Sequence, residues 1–263
     1  MTNVLIWGIG GRMGKTLYDC LNKNENTNVI GGVDKFANQK DFSVPVFNSI
    51  SDINVKADVI IDFSRAEALY DILPYAKENK IPVVLCTTGY SELDLDYINE
   101  MSKEIPLFKS SNMSIGINLL IDLVRKATAL LGENFDIELI EQHHNMKVDS
   151  PSGTALSIAD AIKEEMNNTL EYKFGRHDNN ERRKKNELGI HAVRGGTVVG
   201  KHEVLFLGND EVITIKHEAS SKAVFAEGAV KASIFISSKD VSSKNVLLSQ
   251  FKASPAQSIT PIA

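Results

Sequence analysis

The chain has 263 residues, 43% of them hydrophobic and 24% charged, with a formal net charge of −5. That length fills one large or two medium domains with cores of their own, and the acidic balance gives no global attraction to nucleic acid or anionic lipid. The two cysteines, Cys20 and Cys86, stand far apart and outside any Cys-x-x-Cys frame, which argues against a disulfide or zinc knuckle and for a reducing compartment.

Met1-Thr2-Asn3 leads straight into a short apolar strand, without a basic segment or a longer apolar core before it. No apolar run approaches membrane-spanning length. The expectation is a cytoplasmic protein with no membrane and no nucleic-acid partner.

Val4-Leu5-Ile6-Trp7 suits a strand buried on both faces. Gly8-Ile9-Gly10-Gly11-Arg12-Met13-Gly14 follows at once, and then a helical stretch from Lys15 to Asn22. Strand, glycine turn and helix N-terminus in that order make a dinucleotide phosphate site, because backbone amides can approach a pyrophosphate there. The frame is Gly8-x-x-Gly11-x-x-Gly14; on the commoner Gly-x-Gly-x-x-Gly frame the third glycine would be Met13. Val29 to Val33 reads as the next strand and ends in Asp34, 20 residues past Gly14. An acid there accepts hydrogen bonds from an adenosine ribose, and Lys35 beside it is placed for the extra phosphate of NADP. The competing readings are a strand-capping aspartate and a solvated lysine.

Ala57 to Asp62 is another buried strand, followed by a helix with apolar positions at Ala68, Leu69, Ile72 and Ala76 that Pro74 should kink. Ile81 to Leu85 is the next strand. A helix from about Glu92 to Lys103 and a strand from Pro106 to Lys109 complete a βαβ rhythm and predict a parallel sheet. Ligands of such sheets sit beyond the carboxyl ends of the strands. Asp62-Phe63-Ser64, Cys86-Thr87-Thr88-Gly89 and Ser110-Ser111-Asn112-Met113 all lie at such ends, although loop polarity alone also explains Ser, Thr and Asn there.

Around Ser114-Ile115-Gly116 the rhythm changes, and a long helix runs to about Leu131. In the strand from Phe135 to Ile140 β-branched and acidic residues alternate. His143, His144 and Lys147 then place two imidazoles and an ammonium within five positions. Ser150-Pro151-Ser152-Gly153-Thr154 precedes a stretch of helical apolar spacing, Ala155 to Ile162. The free N–H groups and the dipole at that helix start favour an anion, so cations and donors converge as a carboxylate-bearing substrate requires. Adjacent strand histidines point to opposite faces, so one at most shares the side of Lys147. A zinc reading lacks both His-x-x-x-His spacing and a cysteine cluster.

Tyr172 to Asn186, with Arg182-Arg183-Lys184-Lys185, reads as a solvated loop because acids flank its cations. Hairpin-like strands follow at Leu188 to Arg194, His202 to Leu207 and Glu211 to His217, with a tight or ligand-approached loop at Gly195-Gly196. They imply a second, α+β domain with an open, mostly antiparallel sheet. Ala223 to Ile236 is a helix that returns to the first domain, and the tail from Lys252 is loose. The class is therefore α/β: a Rossmann-type parallel-sheet domain over 1–113, completed by 224–263, and an α+β domain over 114–223.

The sequence resembles the 4-hydroxy-tetrahydrodipicolinate reductase (dihydrodipicolinate reductase) family, of the diaminopimelate route to lysine. The likeness runs from Val4 to about Ile236 and rests on His143-His144-x-x-Lys147 with Asp149-Ser150-Pro151-Ser152-Gly153-Thr154. Gly8-x-x-Gly11-Arg12-Met13-Gly14, Ser111-Asn112-Met113-Ser114-x-Gly116 and Val193-Arg194-Gly195-Gly196 agree with it.

The resemblance implies NADH or NADPH as cofactor, lined by Gly8, Ile9, Gly10, Gly11, Arg12, Met13, Asp34, Lys35, Cys86, Thr87, Thr88, Ser110, Ser111, Asn112 and Met113. It implies proton handling by His143 and Lys147, and a cyclic dicarboxylate substrate held by His144, Gly153 and Thr154. It also implies a homotetramer built through the second domain's sheet, and no metal. Cys86 stands where the family usually has glycine. Cys86-Thr87-Thr88 also resembles the nucleophilic Cys-Thr-Thr of phosphorylating aldehyde dehydrogenases, a rival that needs an activated thiolate. A second rival, a non-catalytic NAD(P)-sensing module, would leave the His-His-x-x-Lys cluster without a role.

Overall fold

The computed structural model describes residues 1–110, 112–177, 181–239 and 247–248. The chain divides into two compact units, Met1–Ser110 with Ala229–Ala263, and Ser111–Gly228.

In the first unit β1 (Thr2–Trp7) is buried from Val4 onward, as a central strand covered on both faces must be. α1 (Arg12–Asn22) follows, starting inside the glycine run rather than at the Lys15 that apolar spacing indicated. β2 (Thr27–Val33), β3 (Val46–Phe47), β4 (Val59–Asp62), α2 (Leu69–Asn79), β5 (Val83–Leu85), α3 (Glu92–Met101) and β6 (Leu107–Lys109) continue the alternation. α2 runs through Pro74 and ends on Lys80, whose φ of 55° is left-handed. The strands pair in the order β6-β5-β4-β1-β2-β3, every pairing parallel. Parallel neighbours have to be joined by crossovers, and those between β1 and β2, β4 and β5, and β5 and β6 are helical. Leu5, Ile60, Leu73, Val83 and Leu85 are fully buried in the core.

The second unit opens with α4 (Ile115–Leu131), β7 (Asp136–His143), α5 (Gly153–Glu165), β8 (Glu171–Phe174), β9 (Glu187–Arg194), β10 (Gly200–Leu207) and β11 (Val212–Ala219). α6 (Ala223–Ser237) crosses the boundary between units, and β12 (Leu247–Leu248) pairs parallel with β6 as the seventh strand of the first sheet. The second sheet has the order β11-β10-β7-β9-β8. Its antiparallel ladders, of eight and seven residue pairs, outweigh its parallel ones, of seven and four.

Two expectations need correction here. β9 and β10 do not form a hairpin, because β7 lies between them, parallel to one and antiparallel to the other. The connection at Gly195 and Gly196 instead passes the end of β7, where Gly195 N–H donates to the His143 carbonyl at 3.0 Å and Asn145 N–H to the Gly196 carbonyl at 3.2 Å. Nor is the charged stretch simply solvated. Glu171–Phe174 is strand β8, paired with β9. Arg183 lies across the sheet, donating to Asp136 at 2.7 Å, to Glu138 at 3.1 Å and to the Glu187 carbonyl at 2.6 Å. Its cation is spent inside the unit. Asp178, Asn179 and Asn180 fall outside the described residues, as does the tail from Lys252.

Along β7 burial alternates strictly, with Ile137, Leu139, Glu141 and His143 on the inner face. The apolar half of that stripe packs under α4 and α5 with Ile158, Ile162, Val204 and Phe206. Its polar half, Glu141 and His143, lies at the strand's carboxyl end. Among the described residues no helix is long and apolar enough to cross a membrane. Phe206 is a large, fully buried side chain; Phe206→Ala should cost about 3–5 kcal/mol, read as an earlier urea midpoint for the unfolding of the second unit.

Candidate functional site

At the carboxyl end of β1 the backbone turns sharply at Gly8, whose φ of 81° and closeness to the Phe63 carbonyl, 2.8 Å from any added Cβ, admit only glycine. Gly14, in the first turn of α1, is held as tightly: a Cβ there would lie 2.1 Å from the Gly8 carbonyl oxygen. Helix and strand therefore approach closely at this turn. Gly11 caps α1 without any side-chain bond, so the amides of the first turn are open toward an anion. Asp34, at the end of β2, accepts from Gly10 N–H at 3.0 Å and from Phe36 N–H at 2.9 Å. Ile9 is a fully buried core residue packed against Gly32, while Arg12 and Lys35 are exposed and Met13 half-buried. Uncapped amides, two glycines that tolerate no Cβ, and a carboxylate at the next strand end fit a dinucleotide.

Behind this turn lies a buried polar group of residues. Asp62 is fully buried. Burial pushes its carboxyl above the usual range, partly offset by bonds from the Ser64 amide at 2.9 Å and hydroxyl at 2.5 Å. Cys86 N–H donates to the Asp62 carbonyl at 3.0 Å. Its thiol is pushed well up by burial and then by the Asp62 charge, so it is no activated nucleophile and the aldehyde-dehydrogenase reading fails. Thr87 is buried, Thr88 exposed, and Ser110 buried with its N–H on the Leu85 carbonyl at 3.2 Å. Ser111 lies outside the described residues. Asn112 and Met113 belong to the second unit, where the Asn112 amide donates to Thr154 Oγ1 at 2.9 Å and Met113 is buried.

The second unit gathers its chemistry where β7 ends. Glu141 and His143, two apart on the strand, share the buried face. His143 Nδ1 lies 2.6 Å from Glu141 Oε2. Arg194, on β9, grips both carboxylate oxygens at 2.8 and 2.7 Å, and Ser152 N–H donates to Oε1 at 3.0 Å. Burial alone would push the Glu141 carboxyl up, but the bonds from His143, Arg194 and the Ser152 amide outweigh it and hold its pKa at about 2. Ser152 also caps α5, accepting from Ala155 N–H at 3.1 Å, and meets His202 Nε2 at 3.2 Å.

Nearer the surface, Lys147 Nζ is 2.8 Å from Asp149 Oδ1. The Lys147 ammonium holds the Asp149 carboxyl below its ordinary value, helped by the Gly153 amide. His144 and Thr154 are half-buried and Gly153 exposed. Thus His143, Lys147, Gly153 and Thr154 sit on one end of β7 and α5, as their spacing suggested. Glu141, Ser152, Arg194 and His202 were missed as members of the site. The signal for Glu141 was its position two residues before His143 in a strand pattern.

His202 lies on β10 opposite Glu141, its ring edge-on to His143 at 5.3 Å and 74°. Burial, then the neighbouring His143, lowers its pKa to about 4, while Glu141 raises it and His217 and Lys147 lower it further. The unfolded chain protonates this imidazole near its ordinary pKa of 6.5 and the folded chain only near 4, so folding stability falls as pH drops through that window. Glu141, depressed from 4.5 to about 2, removes more as pH falls below 4.5. His202→Asn should flatten the dependence between pH 6.5 and 4 and leave the lower loss intact, as followed by denaturant unfolding across that range.

Two family models cover most of the chain: "Dihydrodipicolinate reductase, N-terminus" over residues 2–113 and "Dihydrodipicolinate reductase, C-terminus" over residues 116–248. A 4-hydroxy-tetrahydrodipicolinate reductase of Caldanaerobacter subterraneus subsp. tengcongensis is 51% identical over 236 residues, 90% of this chain and 93% of that one. One from Clostridium novyi is 48% identical over 240 residues, 91% of this chain and 94% of that one. A solved structure titled "Dipicolinate bound Dihydrodipicolinate reductase from Paenisporosarcina sp. TG-14" shares the fold, with a TM-score of 0.77 at 23% identity over 95% of this chain and 98% of that one. Reductases of this family depend on a pyridine nucleotide. The chain belongs to the dihydrodipicolinate reductase family of oxidoreductases.

Proposed function

We propose that this protein reduces 4-hydroxy-tetrahydrodipicolinate to tetrahydrodipicolinate with NADH or NADPH, in the diaminopimelate route to lysine. The observation that carries the reading is the carboxylate already held at Lys147. Asp149 places its side chain against the Lys147 ammonium at 2.8 Å, with the Gly153 amide contributing. A carboxylate is what this corner takes, and one carboxylate of a cyclic dicarboxylate would replace Asp149 there. His144 and Thr154 would hold the substrate beside it. The Paenisporosarcina structure, with dipicolinate bound, supports the same ligand class.

Charge compensation is also what activates such a ring. Loss of the 4-hydroxyl as water leaves a doubly negative ring with a conjugated imine, which accepts hydride poorly until cations and amide dipoles draw density away from the reacting carbon. A reduced dinucleotide held by its pyrophosphate at the glycine turn would supply that hydride from its nicotinamide. His143 or Lys147 then delivers the proton to the resulting enamine. One positioned acid is worth ~10²–10⁴-fold in rate, or about 3–5 kcal/mol. Gly8, Gly10, Gly11, Arg12 and Met13 would hold the pyrophosphate and Asp34 the ribose. Cys86, Thr87, Thr88, Ser110, Ser111, Asn112 and Met113 would line the rest, Ile9 by its backbone alone.

In this reading residues 1–113 with 224–263 bind dinucleotide, and residues 114–223 bind substrate and build a homotetramer. α4 and α5 contribute to the core on one face of the five-stranded sheet. Its other face carries half-buried Ile140, Leu205 and Leu207, with exposed Val212 paired beside Leu207 on the edge strand β11. Apolar side chains in that position suit a second sheet laid against them. The cytoplasm is the proposed compartment.

Lys147→Met should lower kcat by ~10²–10⁴-fold while the affinity for NADPH, measured by fluorescence titration, stays within about twofold; unaltered turnover would remove Lys147 from the reaction. Lys35→Ala should weaken NADPH selectively and leave NADH unchanged, by loss of one exposed charge beside the ribose phosphate. Equal losses for the two cofactors in steady-state titration would contradict that role.

A further inference from the structure

We propose that Glu141, clamped by Arg194, is the positioning residue that fixes the tautomer and the ring orientation of His143. The proposal rests on the reading of His143 as a proton-handling group and extends it to residues that touch no substrate.

An ionised carboxylate accepts hydrogen bonds and donates none. With Glu141 Oε2 only 2.6 Å from His143 Nδ1, the proton between them belongs to the imidazole. Glu141 stays ionised in spite of being fully buried because its other acceptor directions are filled by donors. Arg194 Nη1 reaches Oε2 at 2.8 Å, Arg194 Nη2 reaches Oε1 at 2.7 Å, and the Ser152 amide reaches Oε1 at 3.0 Å. The guanidinium fork matches the carboxylate edge to edge, so the group cannot rotate away from His143.

Two consequences follow for the ring. The neutral imidazole carries its hydrogen on Nδ1 and presents a bare lone pair at Nε2. Only the imidazolium has a proton to give at Nε2, and in that form Glu141 compensates its charge across the short bond. Donation by His143 therefore proceeds from an ion pair, and acceptance of a proton returns it to one. The ring is fixed from other sides as well. Gly195 N–H holds the His143 carbonyl at 3.0 Å, and His202 stands edge-on to the ring at 5.3 Å. At Gly200 an added Cβ would come within 3.1 Å of Nε2, so glycine keeps that edge of the ring uncrowded. Arg194 also passes the constraint outward, since its Nη2 donates to the Asp149 carbonyl at 2.7 Å, on the residue that faces Lys147.

The test reads the tautomer directly. Protein carrying ¹³C,¹⁵N-labelled histidine, with the His143 signal assigned by its absence in His143→Gln, should show His143 with hydrogen on Nδ1 in the unaltered chain. A neutral ring with hydrogen on Nε2 there would overturn the proposal without recourse to any variant of Glu141. Glu141→Gln keeps the shape but turns an amide N–H₂ toward Nδ1, and should switch the ring to the Nε2–H form. It should lower kcat by ~10²–10⁴-fold, up to the whole worth of one acid–base group, with the Kd for dipicolinate within about threefold. A native tautomer with native kcat in a folded Glu141→Gln variant would overturn the proposal, as would loss of dipicolinate binding with kcat retained. If that variant does not fold, Glu141→Asp serves instead: the Nδ1–H tautomer should persist while kcat falls, and unchanged kcat would count against the proposal. Failure of the underlying reading looks different. His143→Gln at full activity would remove His143 from the reaction, whereas the tautomer in the unaltered chain would remain as measured.

Discussion

A carboxylate taken fully out of water has to be paired or it will not stay charged, and Glu141 is paired from three directions. One partner, His143, comes from its own strand, one from β9, and one from the residue that caps α5. Those three contacts account for much of the second unit's design. Arg194 stands opposite His143 in the parallel register of β7 with β9, so the guanidinium arrives beside the carboxylate without any loop having to carry it. Ser152 reaches the same carboxylate with its amide and caps α5 with its hydroxyl. The start of that helix is thereby tied to the end of that strand. Removing one partner would leave a buried charge uncompensated, a loss of about 3–5 kcal/mol by general experience. A site that must hold imidazole, ammonium and helix amides to within a fraction of an ångström gains its rigidity from this arrangement.

The first unit uses the same device with less burial. Asp34 accepts the Gly10 and Phe36 amides at 3.0 and 2.9 Å and so pins the glycine turn to the end of β2. In each unit a strand-end carboxylate holds a backbone segment whose neighbouring amides remain open for an anion. Asp62 is a contrast: it is fully buried with only hydroxyl and amide donors near it, and burial drives its carboxyl up. What Glu141 has and Asp62 lacks is the imidazole of His143 and the guanidinium of Arg194.

What the sequence disclosed was what local periodicity can encode. Val4 to Trp7, the glycine run and Asp34 were readable because a two-face-buried strand, a turn without room for Cβ and a strand-end acid each leave a short signature. The Ser-Gly-Thr start of α5 was readable for the same reason. Pairing between distant segments was not. β9 and β10 are adjacent in sequence and look like a hairpin, but β7 inserts between them, a long-range choice that no local pattern records. Glu141 escaped because an acid in a strand reads as solvent-facing, and one of the donors that make its burial tolerable, Arg194, lies 53 residues away. Arg183 was misread for the mirror reason: within a run of cations it looks solvated, while its acceptors Asp136 and Glu138 lie 47 and 45 residues away. The resemblance named the motif that contains Arg194 without saying what the guanidinium does.

The cluster at the end of β7 should turn over a dinucleotide bound to the same chain. Enzyme saturated with NADPH should be mixed with the cyclic imine under single-turnover conditions and the loss of reduced nicotinamide absorbance followed by stopped flow. The unaltered chain should oxidise its NADPH in one substrate-dependent phase, and the double variant His143→Gln/Lys147→Met should bind NADPH normally yet leave it reduced. NADPH that stays reduced in the unaltered chain, or is oxidised at the same rate in the double variant, would contradict the account.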